Sequence, residues 1–596
     1  MRNNMKKIFI FAIALATLTS CAKFLDTKPE GTPNTDNYFQ SDFQVESALK
    51  SIYSPMIDGD DCFGRNTIWA ECLGTQMVVG RNSGDWSREL TCLTWNGDEF
   101  GLRNPYEWFY KFIARANWIV DGLLEQKETR ELSYVEKRSL GEAYFLRAFF
   151  HYWVANLYGC AEQGVPFVRY EDFEGGYDYS IPTQQPSVTD NYNMIVEDLK
   201  KAEEWLPDFR DYSQDERGRA QKQAAVALMA KAYAYWATWD KSQWKNVVDC
   251  VNKLETTYGR ALNPSFSELF CDDISKWWNA EYCWSIPSNG GHMDRVGAEF
   301  PGLCLENKGY GIYNGWGNFK ASYDAFEEFV KDGDRDVNER LEKSILQYGQ
   351  PWMYSGSEMN YYSSADIETG FGINKWLEPF GHANMIDAGY ANEGEGSWVT
   401  GRVNYHVVRF ADVLLLRAEA NLAQGNASAA AKDLNAIRQR AGLEPNCKGT
   451  WEEIYHERYC ELAYEPMASH AQDLRRWAYS GDATIAALAI KEMESHPRAL
   501  YHVWRDWPES PVGQGVGETG NIIELGLVMN PAKDGSGVMT MRQGKEYTSI
   551  DESKAIGEYQ NYQNLEGKWD KHLVVYPYPS LQITNSAGAL KQNPGY

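Results

Sequence analysis

The chain has 596 residues, 43% of them apolar, which is enough to bury a large core and argues against gross disorder. Its 83 acidic residues outnumber the 58 basic ones. The formal net charge of −25 disfavours non-specific binding to nucleic acid or to an anionic membrane surface.

The aromatic residues are compatible with ligand stacking, and the cysteine spacing argues against two kinds of cysteine site. The chain holds 22 Trp, 37 Tyr and 24 Phe, and those rings that lie at the surface offer flat faces for stacking on a ligand. The 11 Cys form no C-x-x-C pair, so neither a zinc ribbon nor a redox dithiol is indicated. Scattered Cys are typical of small buried side chains, and no cofactor is indicated.

The first 21 residues have the pattern of a secretory signal. Three basic residues within the first seven precede residues 8–18, an apolar stretch too short to span a bilayer. Leu18-Thr19-Ser20-Cys21 then resembles the lipobox of bacterial lipoproteins, in which the Cys becomes the acylated first residue of the mature protein. We expect residues 1–20 to be removed and Cys21 to carry the lipid anchor. The alternative is an ordinary signal peptide with a chance Cys near its cleavage site.

Helical periodicity dominates the well-patterned segments. In residues 142–158, apolar side chains recur every three or four positions and form one broad buried face, after which Gly159 supplies a stop. Residues 187–206 repeat the pattern, with Ser187 as the N-cap and Pro207 closing the helix.

Two Ala-rich segments predict closely packed helices. Residues 224–240 form one helix, and residues 411–442 split at Gly425-Asn426 into two. Such units are similar to tetratricopeptide-type hairpins, although their period is irregular. The predicted fold class is mainly α: tetratricopeptide-like helix hairpins form a scaffold, with long irregular loops and a few short strands.

The composition of the sequence changes between about residues 259 and 405, where Gly, Asn, Trp and Tyr are frequent. Residues 507–550 are similarly Gly-rich. These stretches indicate long loops and short strands laid over the helices. Aromatic loops on a rigid helical frame are places where binding sites concentrate.

A series of short motifs along the chain resembles the SusD/RagB family of outer-membrane nutrient-binding lipoproteins of Bacteroidetes, and their joint order carries the resemblance. The motifs are Cys21 with Phe24-Leu25-Asp26, Glu142-Ala143, Phe145-Leu146-Arg147-Ala148, Leu157-Tyr158-Gly159, Val165-Pro166, Glu197-Asp198-Leu199, Asp334-Arg335, Arg409-Phe410-Ala411-Asp412, Leu414-Leu415, Ala418-Glu419-Ala420, Asn435-Ala436-Ile437-Arg438, Arg440-Ala441-Gly442, Glu457-Arg458, Glu461-Leu462-Ala463 and Gln592-Asn593-Pro594-Gly595-Tyr596.

The resemblance implies a non-catalytic protein at the cell surface. Members of the family sit over a TonB-dependent transporter, a SusC-like barrel, and hold oligosaccharides, or in some branches peptides, for import. We therefore expect residues 21–596 to form a single SusD-like body anchored to the outer membrane. Residues 21–258 form its N-terminal helical repeat-like part, and residues 259–596 form a loop-rich ligand region plus the C-terminal SusD/RagB helices.

Two places depart from the family pattern. Residues 160–163 are inserted after Gly159, before Gly164-Val165-Pro166. Later, Pro466 stands where the family has Gly, an Arg is missing, and two extra residues precede Asp473. We expect altered local helix geometry there, within the same fold.

No catalytic constellation emerges from the motifs. The chain lacks H-E-x-x-H and G-x-S-x-G, and the G-x-G-x-x-G match at Gly515–Gly520 follows loop sequence rather than a strand. His456 and Cys460 lie on an amphipathic helix inside a family motif, which favours a structural role over metal binding. Four charged residues on otherwise apolar helices predict buried interhelical ion pairs. They are Arg147, Asp412, Glu419 and Arg438.

Two segments combine aromatic faces with hydrogen-bonding side chains, as a sugar site requires. The first holds Arg81, Asn82, Asp85 and Trp86, followed by Trp95 and Asn96, and falls where starch-binding members of the family place a Trp and polar ligands. The second holds Trp277, Trp278, Tyr310, Tyr313 and Trp316. Trp95 and Trp316 have an alternative role, which is to plug the core beneath these loops.

The sequence leaves competing functions open. A glycan-binding surface lipoprotein leads, with a peptide-binding member of the same fold as the alternative within the binding class. A surface glycoside hydrolase with an unrecognised carboxylate pair is the alternative from another class, since 83 acidic residues offer many pairs. A purely structural repeat scaffold is the third, and the lipobox and aromatic loops argue against it.

Overall fold

The periodic segments of the sequence fold into helices at the predicted positions. The computed structural model describes residues 38–56, 74–79, 93–173, 183–271, 273–287, 319–333, 337–347, 351–354, 357–360, 369, 371–376, 403–500, 526–529, 539–543, 545–547, 556–558 and 565–596. Helices predominate among these residues, as the sequence predicts.

The first half of the described chain consists of helices that pack against their neighbours in sequence. They are α1 (Asp42–Met56), α2 (Phe100–Thr129), α3 (Tyr134–Tyr158), α4 (Val188–Trp205), α5 (Lys222–Trp236) and α6 (Trp244–Thr256). From α2 to α6, each helix contacts the next. This succession is the arrangement expected of tetratricopeptide-like hairpins.

Local sequence signals set the ends of α3 and α4. Ser133 caps α3 by accepting a hydrogen bond from the Glu136 amide, and the Glu136 carboxylate accepts one from the Ser133 amide in return. The helix ends before Gly159, and Ser187 caps α4 through the Thr189 amide. The predicted stop and N-cap are therefore confirmed.

The second half of the chain begins with short helices and ends in a second helical group. The short helices are α7 (Ile274–Trp277), α8 (Tyr323–Val330) and α9 (Glu339–Ser344). The group comprises α10 (Phe410–Ala423), α11 (Ala427–Arg440), α12 (Trp451–Leu462), α13 (His470–Ser480) and α14 (Ala483–Met493), and α15 (Ser580–Asn585) follows near the end. Helix α10 packs against α5 and α6, so the two groups share one interface. The predicted break at Gly425-Asn426 separates α10 from α11.

Strands in the described residues are short and pair antiparallel. They are β1 (Met77–Val79), β2 (Tyr282–Ile286), β3 (Phe319–Ala321), β4 (Ile345–Gln347), β5 (Pro351–Tyr354), β6 (Ser357–Asn360), β7 (Phe371–Ile373), β8 (Tyr405–Arg409), β9 (Arg498–Leu500), β10 (Gly526–Met529), β11 (Met539–Gln543), β12 (Lys545–Tyr547) and β13 (Ile556–Glu558). The pairs are β1–β3, β2–β8, β4–β7, β5–β6 and β9–β13, and β10, β11 and β12 form a three-stranded sheet.

An aromatic cluster joins the helices to the β2–β8 pair. The ring of Trp284 on β2 meets Phe145 and Phe149 of α3 edge-on, with centroids 4.7 and 5.0 Å apart. All three side chains are buried, and the Trp284 indole N–H donates to the Gly218 carbonyl. The periodic face predicted for residues 142–158 therefore covers this sheet.

The four charged residues predicted to form interhelical ion pairs do so. Arg147 binds Asp198, Asp412 binds Lys231, Glu419 binds Arg476 and Arg438 binds Glu457, each at 2.6–2.8 Å. All of these partners lie on other helices and are sequestered from solvent. Each charge is thus compensated where burial alone would make it costly.

Both departures from the family pattern are absorbed locally. In the first insertion, Cys160 and Gln163 exchange backbone hydrogen bonds and close a tight turn. In the second, a single 3-10 turn at Pro466–Ala468 separates α12 from α13, and Ser469 caps α13 through the Gln472 amide. None of the helices in the described ranges combines the length and apolar character needed to cross a bilayer.

Candidate functional site

A short two-stranded ribbon is close in sequence to part of each predicted ligand segment. Strands β1 and β3 pair antiparallel, with Val79 opposite Phe319. The chain leaves β1 at Val79 toward Arg81–Trp86, and it enters β3 at Phe319 from Tyr310–Trp316. The register therefore attaches the two candidate segments to neighbouring positions at one end of the ribbon, although more than 200 residues of sequence separate them.

Buried hydroxyl and amide groups hold this ribbon in place. The Ser322 amide donates to the Gln76 carbonyl at 3.0 Å, and the Ser322 hydroxyl donates to the carbonyl of Thr75. The Gln76 side-chain amide donates to the Tyr459 carbonyl on α12, and Thr369 Oγ1 donates to the Ala321 carbonyl at 2.6 Å. The start of β1 is thereby fixed to α12, and the end of β3 is fixed to Thr369, just before β7.

Glu492 on α14 forms the firmest of these anchors. Its Oε1 accepts hydrogen bonds from both the amide and the hydroxyl of Thr75, at 2.9 and 3.0 Å, and its carboxylate lies 2.9 Å from His470 Nε2. Burial by itself would raise the pKa of Glu492, but the His470 charge and the hydrogen bonds from His470, Tyr455 and Thr75 hold that pKa below its usual value. A Cβ at Gly74 would lie 2.6 Å from the same oxygen, so the backbone approaches Glu492 closely. A charged, fully bonded carboxylate therefore fixes the base of β1.

Trp95 is a core residue rather than an exposed platform. Its side chain is 5% exposed, its ring meets Tyr576 edge-on, and its indole N–H donates to the Tyr596 hydroxyl at 2.7 Å. Asn96 beside it is exposed and organises a turn by accepting from the Asp98 amide. The sequence left two roles open for Trp95, ligand stacking and plugging the core. The structure shows the core role, so Trp95 is not a stacking residue.

The neighbouring residues Trp277 and Trp278 differ in burial. Trp277 is 4% exposed, and its indole N–H donates to the Cys271 carbonyl. Trp278 is half-buried and meets Tyr282 edge-on with centroids 4.9 Å apart. Ligand stacking by Trp277 is therefore corrected to a packing role, because the ring has no free face, whereas Trp278 retains exposed surface.

The remaining predicted site residues lie outside the described residues. They are Cys21, Arg81, Asn82, Asp85, Trp86, Tyr310, Tyr313 and Trp316. Among the described residues, three donors that could hold a metal, Asp332, His456 and Cys460, lie between α8 and α12.

Phe43 and Tyr134 are the most exposed aromatic residues among those described, and neither was predicted as a surface ring. Phe43 on α1 is 80% exposed and Tyr134 on α3 is 61% exposed. They lie near each other, because the Ser133 hydroxyl donates to Asp42 at 2.7 Å. Their sequence neighbours are ordinary helix-start residues, so no signal in the sequence distinguishes these rings from core aromatics.

Two family models match the chain. The model described as the SusD family matches residues 275–596. The model described as starch-binding associating with outer membrane matches residues 23–234. Together they span most of the chain after the predicted signal peptide.

Individual proteins are similar over most of the chain. SusD-like protein P2 of Formosa agariphila is 26% identical over 455 residues, which are 74% of this chain and 82% of that protein. The solved structure of surface glycan-binding protein A from Bacteroides fluxus matches with a TM-score of 0.63 and 18% identity, covering 93% of this chain and all of that one. The structure of a laminarin-binding SusD-like protein has a TM-score of 0.62 and 20% identity, covering 93% and 99% of the two chains. These structural matches establish the fold.

Proposed function

The chain belongs to the SusD family, and on that premise we propose that it is a cell-surface lipoprotein that binds a glycan and delivers it to a TonB-dependent outer-membrane transporter. The observation that carries the proposal is the register of the β1–β3 ribbon. It joins two segments rich in Trp, Tyr, Asn and Arg to one end of a rigid support. A ligand held by both segments would be recognised by residues from distant parts of the sequence.

The side chains on these segments suit an oligosaccharide. The Trp86 indole would cover the C–H face of a sugar ring, and Arg81, Asn82 and Asp85 would hydrogen-bond its hydroxyls. Tyr310, Tyr313 and Trp316 would supply a second aromatic surface. None of these groups requires a charged ligand, so the acidic chain is compatible with a neutral glycan.

The similar proteins support a glycan rather than a peptide. One neighbour is described as laminarin-binding and another as surface glycan-binding, and one matching family model is described as starch-binding. We propose the same ligand class for this chain. The fold would serve a peptide equally well, so a peptide remains the alternative outcome of the binding test.

The anchor and the partner follow from the same family premise. We propose that Cys21 is acylated and holds the body on the outer membrane, above a SusC-like barrel. Cys21→Ala should move the protein from the membrane fraction to a soluble fraction. Purification from native membranes in mild detergent should recover a TonB-dependent barrel with the intact lipoprotein, and consistent absence of the barrel would contradict the delivery step.

We propose binding without turnover. A glycan array probed with the mature chain should show one family of related glycans retained, and parallel incubation should release no new reducing ends. Retention of peptides and of no glycan would favour the peptide alternative. Hydrolysis that disappears when a single Asp or Glu is replaced would establish the hydrolase instead.

A further inference from the structure

Four potential metal-ligating side chains meet between α8 and α12. His456 and Cys460 lie one helical turn apart on α12, and Asp332 lies in the turn that follows α8. One donor atom from each of these three residues lies within 4.8 Å of the others. Glu328, on α8, contacts the same imidazole ring.

The hydrogen bonds around His456 are those of an oriented metal ligand. Its Nε2 lies 2.8 Å from Asp332 Oδ2, and its Nδ1 lies 2.6 Å from Glu328 Oε1. A histidine that binds a metal through one ring nitrogen commonly donates its other N–H to a carboxylate, which fixes the tautomer and the ring plane. Glu328 is that carboxylate, because it faces the ring nitrogen that would not bind the metal.

We propose that His456 Nε2, Cys460 Sγ and Asp332 Oδ2 form a binding site for a divalent transition metal, with Zn²⁺ as the best match, and that the ion joins α8 to α12. Imidazole nitrogen, thiolate sulfur and carboxylate oxygen are the three donor types that zinc uses in proteins. Magnesium and calcium prefer oxygen donors, so this set selects against them.

The distances between the donor atoms fit such an ion. Bond lengths of about 2.0–2.3 Å around a tetrahedral zinc place its ligand atoms roughly 3.3–3.7 Å apart. Cys460 Sγ lies 4.0 Å from His456 Nε2, and Asp332 Oδ2 lies 2.8 Å from the same nitrogen. These values lie on either side of the required spacing, and the Asp332 and Cys460 donor atoms lie within 4.8 Å of each other, so shifts of about 1 Å would complete the site.

The charges around the site also fit a dication. Both nitrogens of His456 face carboxylate oxygens, an arrangement that requires a proton on each when no metal is bound. A zinc ion would replace one of these protons and the thiol proton of Cys460, so the net charge would not change. Asp332 also binds Arg340 and Arg438, at 3.0 and 2.7 Å, and these guanidiniums would hold the ligating carboxylate in place.

The burial of the site protects it from exchange with solvent. Cys460 is buried, the Asp332 side chain is 5% exposed, and the His456 side chain is 17% exposed, which leaves a path to the ring. The position of His456 and Cys460 on an amphipathic helix inside a family motif favours a structural role. The third ligand, Asp332, is more than 120 residues away in the sequence. The fold brings Asp332 next to His456 and Cys460, which their spacing in the sequence does not show.

The test is titration of the reduced mature chain, in detergent, with Co²⁺ and then Zn²⁺. Co²⁺ should bind at one site and give the near-ultraviolet absorption of a thiolate–cobalt bond, and Zn²⁺ should abolish it. Cys460→Ser should remove this absorption and weaken Zn²⁺ binding by about 100-fold or more, since even outer partners of metal ligands are worth about 10–100-fold. Cys250→Ser, which changes a half-buried Cys on α6, should change neither.

Glu328→Gln is the second variant, because a hydrogen bond to the His456 ring should survive it and the fold should be retained. It should weaken Zn²⁺ binding about 10–100-fold while leaving the thiolate–cobalt absorption in place. Absence of Zn²⁺ binding by the folded wild-type chain would overturn the proposal and leave His456 as an ionic tie between the helices. An absorption that persists in Cys460→Ser would equally overturn it. Neither result would affect glycan binding.

Discussion

The hairpin helices α2–α6 and the charged centre around Arg409 are both buried, but different forces hold them. In the hairpins, apolar rings from consecutive helices pack together, as Phe109 and Phe112 of α2 do with Phe150 of α3. In the charged centre, Arg409 binds Glu281, Glu461 and Glu465 at 2.6–2.8 Å. Those partners come from two separate stretches of the chain, one just before β2 and one at the end of α12.

The difference predicts that the hairpins tolerate substitution better than the charged centre does. Apolar packing is non-directional, so a hairpin accepts another side chain of similar volume at small cost. A buried carboxylate needs a specific cation, and removing that cation leaves an uncompensated charge. The charged centre therefore fixes the relative positions of β2, β8 and α12, whereas the hairpins are held by apolar packing.

Replacing Arg409 should have the largest effect on stability. Arg409→Met keeps the volume but leaves Glu281, Glu461 and Glu465 with one cation fewer, which should lower the free energy of unfolding by about 3–5 kcal/mol. Urea denaturation measures the change. Arg210→Met, at an exposed ion pair with Asp208, is the control and should cost less than about 1 kcal/mol. Similar losses in both variants would mean that the charged centre contributes nothing special.

Acid should weaken the charged centre next. Burial alone would raise the pKa of Glu465, but Arg409 and Lys375 lower it from 4.5 to about 2. Because the folded-state pKa is depressed, this carboxylate stabilises the fold above about pH 4.5, and the contribution is lost as the pH falls through 2. The loss should amount to roughly 3 kcal/mol. Denaturation at a series of pH values should show a slope in this window that Glu465→Gln reduces, and a stability that rises on acidification would contradict the account.

A conservative change in the hairpins should have the smallest effect. Phe149→Leu removes the edge contact with Trp284 but keeps an apolar side chain, and it should cost about 1–1.5 kcal/mol with an unchanged dependence on urea concentration. A loss as large as that of Arg409→Met would remove the distinction between the two regions.

The same comparison explains what the sequence could predict. Helix positions 142–158, 187–206 and 411–442 followed from local periodicity and capping residues, which act within a few positions. The charged helix residues predicted that ion pairs would form but not which partners they would find. Arg409 and Glu281 are 128 residues apart, and nothing local in the sequence relates them.

In the candidate site, too, local features could be predicted from the sequence and contacts between distant residues could not. Residue types marked the two ligand segments, but only the β1–β3 register showed that they start from one point. The burial of Trp95 could not be predicted, because it depends on the distant C-terminal residues Tyr576 and Tyr596. The Thr75–Glu492 anchor joins positions 417 residues apart and had no signal in the sequence.

Replacing Trp86 tests most directly whether a glycan is held by the segments that continue from the ribbon. Calorimetric titration with a retained glycan should show binding weakened by about 1–2 kcal/mol in Trp86→Ala, roughly tenfold or somewhat more in Kd. Tyr134→Ala removes an exposed ring on α3 and should leave Kd unchanged. Thermal denaturation of the same preparations should show all three proteins equally stable. A Trp86→Ala variant that binds normally, or one that loses about 3–5 kcal/mol of stability as a core residue would, contradicts the proposed site.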